Sequence, residues 1–278
     1  MPEGHTLHRL ARALDAAYGG TTPQVSSPQG RFAQEAAVLD GQVVDGSWAH
    51  GKLLFVDFAQ GRTLYVHLGL IGKWFVLPVE PPGSEPPATG QVRLRLLSDT
   101  RVADLRGPMA CELVDEAEVD RLVRRQGPDP LQPVGGLNDP DEAYRKIRRS
   151  GKTVAELLMD QTVLAGVGNI YRCEVLWRHR LHPLKPGRSL KPASWQLIWE
   201  DLVRLMPLGV RTGTIITLDD VAADTEAALE RGELPDVPRE FAVYKRTGQP
   251  CLRCGASIRH KVVAGRNLFW CGNCQRRT

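Results

Sequence analysis

Cys251, Cys254, Cys271 and Cys274 fall as CxxC, sixteen residues, CxxC, a spacing that suits four thiolates around one tetrahedral zinc ion. Each short CxxC turn supplies two sulfurs, and the stretch between has the length of a β-hairpin that brings the pairs together. From Lys245 to Thr278 there are eight Lys or Arg and no Asp or Glu. A metal-stapled hairpin of that charge is suited to a polyanion, which points to nucleic acid.

The other end of the chain offers different chemistry. Pro2 follows the initiator methionine, and removal of Met1 would expose a secondary amine. Such an amine attacks a sugar aldehyde carbon and gives an iminium, an electron sink like a Schiff base. It is less basic than lysine, so more of it is neutral near pH 7. Glu3 beside it is placed to exchange protons. Taken alone, Met-Pro-Glu is also an ordinary way for a protein to begin.

Between these ends lie the elements that must position them. Leu7, Leu10, Ala11 and Leu14 recur with helical spacing over Glu3–Tyr18, and Gly19-Gly20 stops the helix. Strand-like pieces follow at 42–48, 53–58, 63–67, 73–77 and 91–96 without intervening helices, so an antiparallel sandwich or barrel is predicted. The segment 78–90, with five prolines and two glycines, reads as a surface loop. Beyond 126–130 the pattern turns helical, at 139–149, 153–161, 168–177 and 193–206. Boundaries are placed to give domains 1–125, 126–238 and 239–278.

Thr162–Ile170 makes a glycine-bearing turn before a helix. Gly166 and Gly168 permit close backbone approach to a ligand. Asn169 is placed to cap that helix, whose N–H groups favour an anion. With Arg145, Lys146, Arg148, Arg149 and Lys152 upstream, this reads as a clamp on backbone phosphate, or more plainly as a tight helical hairpin with a solvated basic face.

At 278 residues and a formal charge of +4, the basic character is local. Cys111 and Cys173 are read as small buried groups, which is no disulfide framework. Trp48, Trp177, Trp195 and Trp199 are read as packing residues, with Trp270 supporting the metal hairpin. No apolar run approaches a membrane span and no secretory leader is visible, so a reducing cytoplasm is the expected setting.

Three separated motifs carry a resemblance that covers nearly the whole chain: Met1-Pro2-Glu3-Gly4, Ala165–Tyr171 and Gly265–Arg276. The chain resembles the bacterial formamidopyrimidine-DNA glycosylase and endonuclease VIII family, in its endonuclease VIII branch. The resemblance implies an α+β multidomain fold: an N-terminal β-sandwich with a leading helix, a helix–two-turn–helix domain and a zinc-finger hairpin. It implies a bifunctional DNA glycosylase/AP lyase acting on damaged duplex or single-stranded DNA as a monomer, with one structural zinc and no catalytic metal. Pro2 then matches the nucleophile and Glu3 the acid/base carboxylate. Lys52, otherwise a plain hairpin lysine, matches a catalytic lysine on phosphate. Asn169 and Arg266 match a phosphate-gripping pair, and Leu70 the wedge that fills the vacated stack.

Some residues depart from the family pattern. His5 and Thr6 replace its usual Pro and Glu, leaving room for an AP lyase with weak base excision. The stretch Asp99–Asp104, read as a loop, lacks an Arg-x-Phe wedge, with Arg101 as a partial substitute. Both departures favour oxidised pyrimidines over 8-oxoguanine. A non-catalytic damage-binding protein of the same fold is the rival, and the loop read at 211–234 offers no legible lesion chemistry.

Overall fold

The computed structural model describes residues 2–276. Met1, whose removal the expected Pro2 nucleophile would require, and Arg277 and Thr278 at the end of the basic run lie outside them. The chain divides into two compact units. One comprises Pro2 and residues 7–124, the other residues 3–6 and everything from Arg125.

In the first unit, α1 (Gly4–Tyr18) leads into β1 (Gln24–Ser26), α2 (Ala33–Leu39), β2 (Val44–His50), β3 (Leu53–Phe58), β4 (Arg62–His67) and β5 (Lys73–Pro78). The loop after β5 gives way to β6 (Val92–Leu97), β7 (Arg101–Arg106), β8 (Ala110–Val114) and α3 (Glu116–Arg124). Two antiparallel sheets form, in the orders β1-β6-β7-β5 and β2-β3-β4-β8. Alternation decides what each strand buries. On β3, Leu54, Val56 and Phe58 enter the core shared with Leu94, Leu96 and Leu105 of the other sheet and Leu7, Leu10 and Leu14 of α1. Leu53 and Phe55 point the other way, where Trp48, Tyr65 and the α3 residues Val119, Leu122 and Val123 cover them. This is the expected sandwich.

The second unit contains α4 (Pro140–Arg148), α5 (Val154–Leu157), α6 (Asn169–Arg178), α7 (Pro192–Thr212), α8 (Asp219–Glu230), β9 (Ile258–Val263) and β10 (Arg266–Cys271). Asp139 caps α4 by accepting from the Asp141 N–H. Thr153 and Glu156 form a capping box at α5. That helix is one turn long, so the helix expected over 153–161 is shorter than its apolar spacing suggested. Beyond it, Asp160 accepts from the Thr162 N–H and hydroxyl and ends the helix in a turn. Residues 169–177 of α6 are all buried, and Ile258, Leu268, Phe269 and Trp270 of the hairpin join the same core as the helices.

Two segments read as loops are ordered elements. β7 starts at Arg101 and pairs with both β5 and β6, so the stretch to Asp104 is strand. Within 211–234, α8 is a full helix whose Ala222, Thr225 and Ala228 are buried; its apolar face is too weak to register as a helical period. Among the described residues, no helix is long and apolar enough to cross a membrane.

Candidate active site and metal centre

The start of α6 is where the second unit concentrates its polar chemistry. Glu3 is fully buried, and its carboxylate accepts from the N–H groups of Gly168 (2.9 Å), Ile170 (2.8 Å) and Tyr171 (3.4 Å). These are donors that a helix N-terminus leaves unpaired, and three of them converging on one carboxyl suit its ionised, acceptor-only form. The anion at this helix is thus the protein's own carboxylate, which corrects the expectation that the same N–H groups would hold a phosphate. Gly168 is required by that packing. A Cβ there would lie 2.3 Å from the Glu3 Cδ. Nearby, the Gly4 N–H donates to the Gly166 carbonyl at 2.8 Å, and Gly166 adopts a positive φ of 82°.

Asn169 does not cap α6. The cap residue is Gly168, and Asn169 is the first helical residue. Only 4% exposed, its amide Nδ2 donates to the Asn267 carbonyl on β10 at 2.9 Å. Its Oδ1 accepts from the guanidinium of Arg172, which also donates to the Ala155 carbonyl at 3.2 Å. Arg266 begins β10 after the Ala264-Gly265 turn, and one of its donors reaches the Gly265 carbonyl at 3.3 Å. Arg266, Arg172 and Lys152 line one pocket of about 330 Å³, together with Glu156 and Asp160.

Three of the upstream cations have local carboxylate partners. Arg145 pairs with Asp139 at 3.1 Å, Lys146 with Glu142 at 2.9 Å and Lys152 with Asp160 at 3.5 Å. Such exposed pairs contribute about 0–1 kcal/mol each, so exchanging the carboxylate for a phosphate costs little.

A second buried carboxylate escaped the sequence reading. Glu174, one turn beyond Ile170, is fully buried and takes the N–H groups of Ala242, Val243 and Tyr244 and the Thr217 hydroxyl. Burial pushes its carboxyl above the usual range, and those four donors oppose the shift. It fastens the segment before the zinc hairpin onto α6. His5 is also buried, edge-on to Tyr171 with ring centroids 5.7 Å apart; burial and Glu3 raise that tyrosine well above its ordinary pKa.

In the first unit, Pro2 is partly exposed. Lys52 stands at the tip of the β2–β3 hairpin, after Gly51 with a positive φ of 57°. Burial, with a contribution from the Lys52 ammonium, holds His67 below its ordinary pKa, so these two side chains sense each other. The His67 Nδ1 accepts from the Gly69 N–H at 3.0 Å and stiffens the turn after β4. That turn presents Leu70 at 52% exposure and Ile71 at 80%. Met109 joins them at 70% exposure: its N–H donates to the His67 carbonyl at 2.8 Å, and a Cβ on Gly69 would sit 3.0 Å from its own Cβ. Arg101 is set within β7, with a guanidinium donor on the Thr100 carbonyl at 2.8 Å. The element beside the Leu70 turn is therefore 107–109 and not 99–104.

The four sulfurs of Cys251, Cys254, Cys271 and Cys274 all lie within 4.8 Å of one another. Cys251–Cys274 and Cys254–Cys271 are 3.9 and 3.5 Å apart. A tetrahedron with Zn–S bonds of about 2.3 Å requires about 3.8 Å between sulfurs. The cluster is therefore able to coordinate a metal ion of zinc's size. The Trp177 indole N–H points at the Cys251 sulfur, 3.4 Å away, while Arg253 stacks on its ring at 4.1 Å. Cys111 and Cys173 are buried, and burial pushes both thiols up to about 12.

A β-sandwich, a helical unit whose α6 start is closed by Glu3, and a four-cysteine hairpin define a class, the DNA glycosylases that are also AP lyases. Three family models match in that order: the formamidopyrimidine-DNA glycosylase N-terminal domain over residues 1–111, its H2TH domain over 127–220, and the zinc finger found in FPG and IleRS over 248–277. The chain belongs to the formamidopyrimidine-DNA glycosylase and endonuclease 8 family. Endonuclease 8 1 of Mycobacterium tuberculosis (strain ATCC 25618 / H37Rv) is 46% identical over 275 residues, 99% of this chain and 100% of the relative. Endonuclease 8 of Escherichia coli O17:K52:H18 is 29% identical, with 99% and 100% covered. Among solved structures, Lactococcus lactis Fpg (MutM) with DNA containing an oxidised pyrimidine superposes with a TM-score of 0.79 at 25% identity. MutM with DNA containing carbocyclic 8-oxo-G gives 0.77 at 25%; each match covers 99% of this chain and 100% of the other.

Proposed function

We propose that this enzyme excises oxidised bases from DNA, pyrimidines ahead of purines, and cuts the abasic strand through an iminium on Pro2. The observation that carries the reading is Glu3, a buried carboxylate fixed by three backbone donors and joined covalently to Pro2. In this reading residues 1–125 are the catalytic domain, 126–238 grip the duplex and 239–278 form the zinc finger. The setting is the cytoplasm, on the nucleoid, and the enzyme works as a monomer.

The flipped nucleotide is attacked at C1′ by the neutral Pro2 nitrogen as the N-glycosidic bond breaks and the base leaves with a proton. Glu3 manages protons at the sugar. The C1′–O4′ bond then opens as O4′ takes up a proton, leaving the iminium; this acidifies C2′, whose proton is lost as the C3′–O bond breaks. A second elimination breaks the C5′–O bond, leaving a one-nucleotide gap bounded by phosphates. Lys52, Asn169 and Arg266 hold the distorted backbone. Leu70 fills the vacated stack, as apolar wedges do in kinked duplexes. The four cysteines would hold a zinc ion that stabilises the hairpin; with every tetrahedral position taken by a thiolate, that site is of the structural kind.

Borohydride trapping on a duplex bearing an abasic site tests this. The expected product is a covalent complex whose peptide map places the link on Pro2 as the first residue. A link on Lys52, or none, would defeat the reading. A panel of thymine glycol, dihydrouracil, 5-hydroxyuracil, 8-oxoguanine and a bare abasic site, each as duplex and single strand, then ranks substrates. Activity confined to the abasic site would favour the weak-excision alternative suggested by His5 and Thr6.

A further inference from the structure

Asn169 reaches phosphate, on the reading above, through an amide whose two ends are chemically opposite. The amide oxygen only accepts, and the NH2 only donates. A phosphodiester needs donors. Rotation of the amide by half a turn would present oxygen to phosphate and replace attraction with repulsion. Something must therefore choose the edge.

Arg172 makes that choice. It is three residues on along α6, fully buried, and its side chain lines the same pocket as Arg266. One guanidinium nitrogen donates to Asn169 Oδ1 and another to the Ala155 carbonyl. Guanidinium has five N–H donors and no acceptor, and it does not lose its charge in proteins. The atom of Asn169 facing it can only be oxygen. Nδ2 is consequently turned toward β10, where it donates to the Asn267 carbonyl beside Arg266.

We propose that Arg172 is a positioning residue that fixes the Asn169 amide with its donors toward the DNA phosphate. The inference rests on the assignment of Asn169 to phosphate. It adds to that assignment a buried cation that touches neither DNA nor the reacting atoms. Asn-x-x-Arg at one helical turn thus works as a unit, with the charge held behind the amide.

The test is a comparison of Arg172→Met, Asn169→Ala and the double variant, binding a duplex with a tetrahydrofuran abasic analogue that the enzyme cannot cleave. Each single change is expected to weaken Kd about tenfold, and the double change no further, because a misoriented amide and an absent one are equivalent. Turnover of a true abasic site at saturating DNA stays within about twofold, so the loss sits in KM. Arg172→Lys keeps the buried charge but lacks the two-pronged fork; it should lose about threefold and, like Met, show no added loss beside Asn169→Ala. It carries the comparison if Arg172→Met does not fold. Multiplying losses in the double variant, unchanged affinity in Arg172→Lys together with Arg172→Met, or a fall in saturated turnover would overturn the proposal. Absence of a borohydride-trapped complex with the unaltered enzyme would instead defeat the lyase reading, and the binding comparison would stand.

Discussion

The start of α6 and the turn after β4 both bear on the DNA in the proposed reaction, yet they are built oppositely. Around α6, Glu3, Arg172 and Glu174 are fully buried, and Asn169 is nearly so. Their hydrogen bonds hold chain segments far apart in sequence. At the turn, Leu70, Ile71 and Met109 stand more than half exposed, on a frame tied by His67. One region spends its burial on fixing polar groups in place, and the other keeps apolar groups in water for later use. Changes to the first should damage folding together with DNA binding or chemistry, whereas changes to the second should spare folding.

The largest expected effect lies next to the α6 region, at the cysteine cluster. Structural zinc contributes on the order of 10 kcal/mol to small metal folds, so chelation should release the hairpin strands and remove measurable duplex binding. Retained affinity in metal-free protein, followed by fluorescence anisotropy, would show that the hairpin stands on its packing alone. Gly168→Ala comes next. With a Cβ 2.3 Å from Glu3 Cδ, the carboxylate or the helix must move; base excision should drop by about a hundredfold with a lower thermal midpoint. Normal single-turnover rates would break the link between this glycine and catalysis.

A smaller effect is expected at Asp201 on α7. Burial acts to raise its carboxyl, but hydrogen bonds and charge from His179 and Arg178 outweigh it and hold it at about 2, against an ordinary 3.8. The depressed value means that its contribution is fully present above about pH 4 and lost as the pH falls toward 2. Discounted for solvent screening, that contribution is no more than about 2 kcal/mol. Asp201→Asn should flatten the acid limb of a denaturation curve within that window, and an unchanged limb would assign acid lability elsewhere. The smallest change in stability is expected at the turn. Leu70→Ala, Ile71→Ala and Met109→Ala should each shift unfolding by less than about 0.5 kcal/mol while lowering excision from duplex about tenfold and sparing single strands. Equal losses on both substrates would argue against a stacking role.

How much of this could be read from the chain follows the same division. The sandwich strands were legible because Leu53–Phe58 is a short, nearly continuous apolar run and 91–96 alternates almost cleanly, and the cysteine spacing reports a metal site without any fold. Helix α8 was not, since its small residues carry little periodic signal. The pairing of Glu3 with residues 168–171 bridges more than 160 positions, and no local pattern announces it. The glycine at 168 was visible as a point of close approach, but the group approaching it was not. Nothing local singles out Arg172 and Glu174; their partners come from Ala155 on α5, Asn169 at the start of α6, Thr217 and the 242–244 segment. Met109 was missed because the expected wedge was sought one strand too early.

Because residues 3–6 fold with the second unit and the helix they begin continues in the first, the two units are not separable at the gene level by a cut near residue 125. A fragment starting there would present α6 with its first N–H groups stripped of their internal counter-anion. Such a fragment should take up acetate or a synthetic Pro-Glu-Gly peptide at that helix end, an affinity the intact protein would not show.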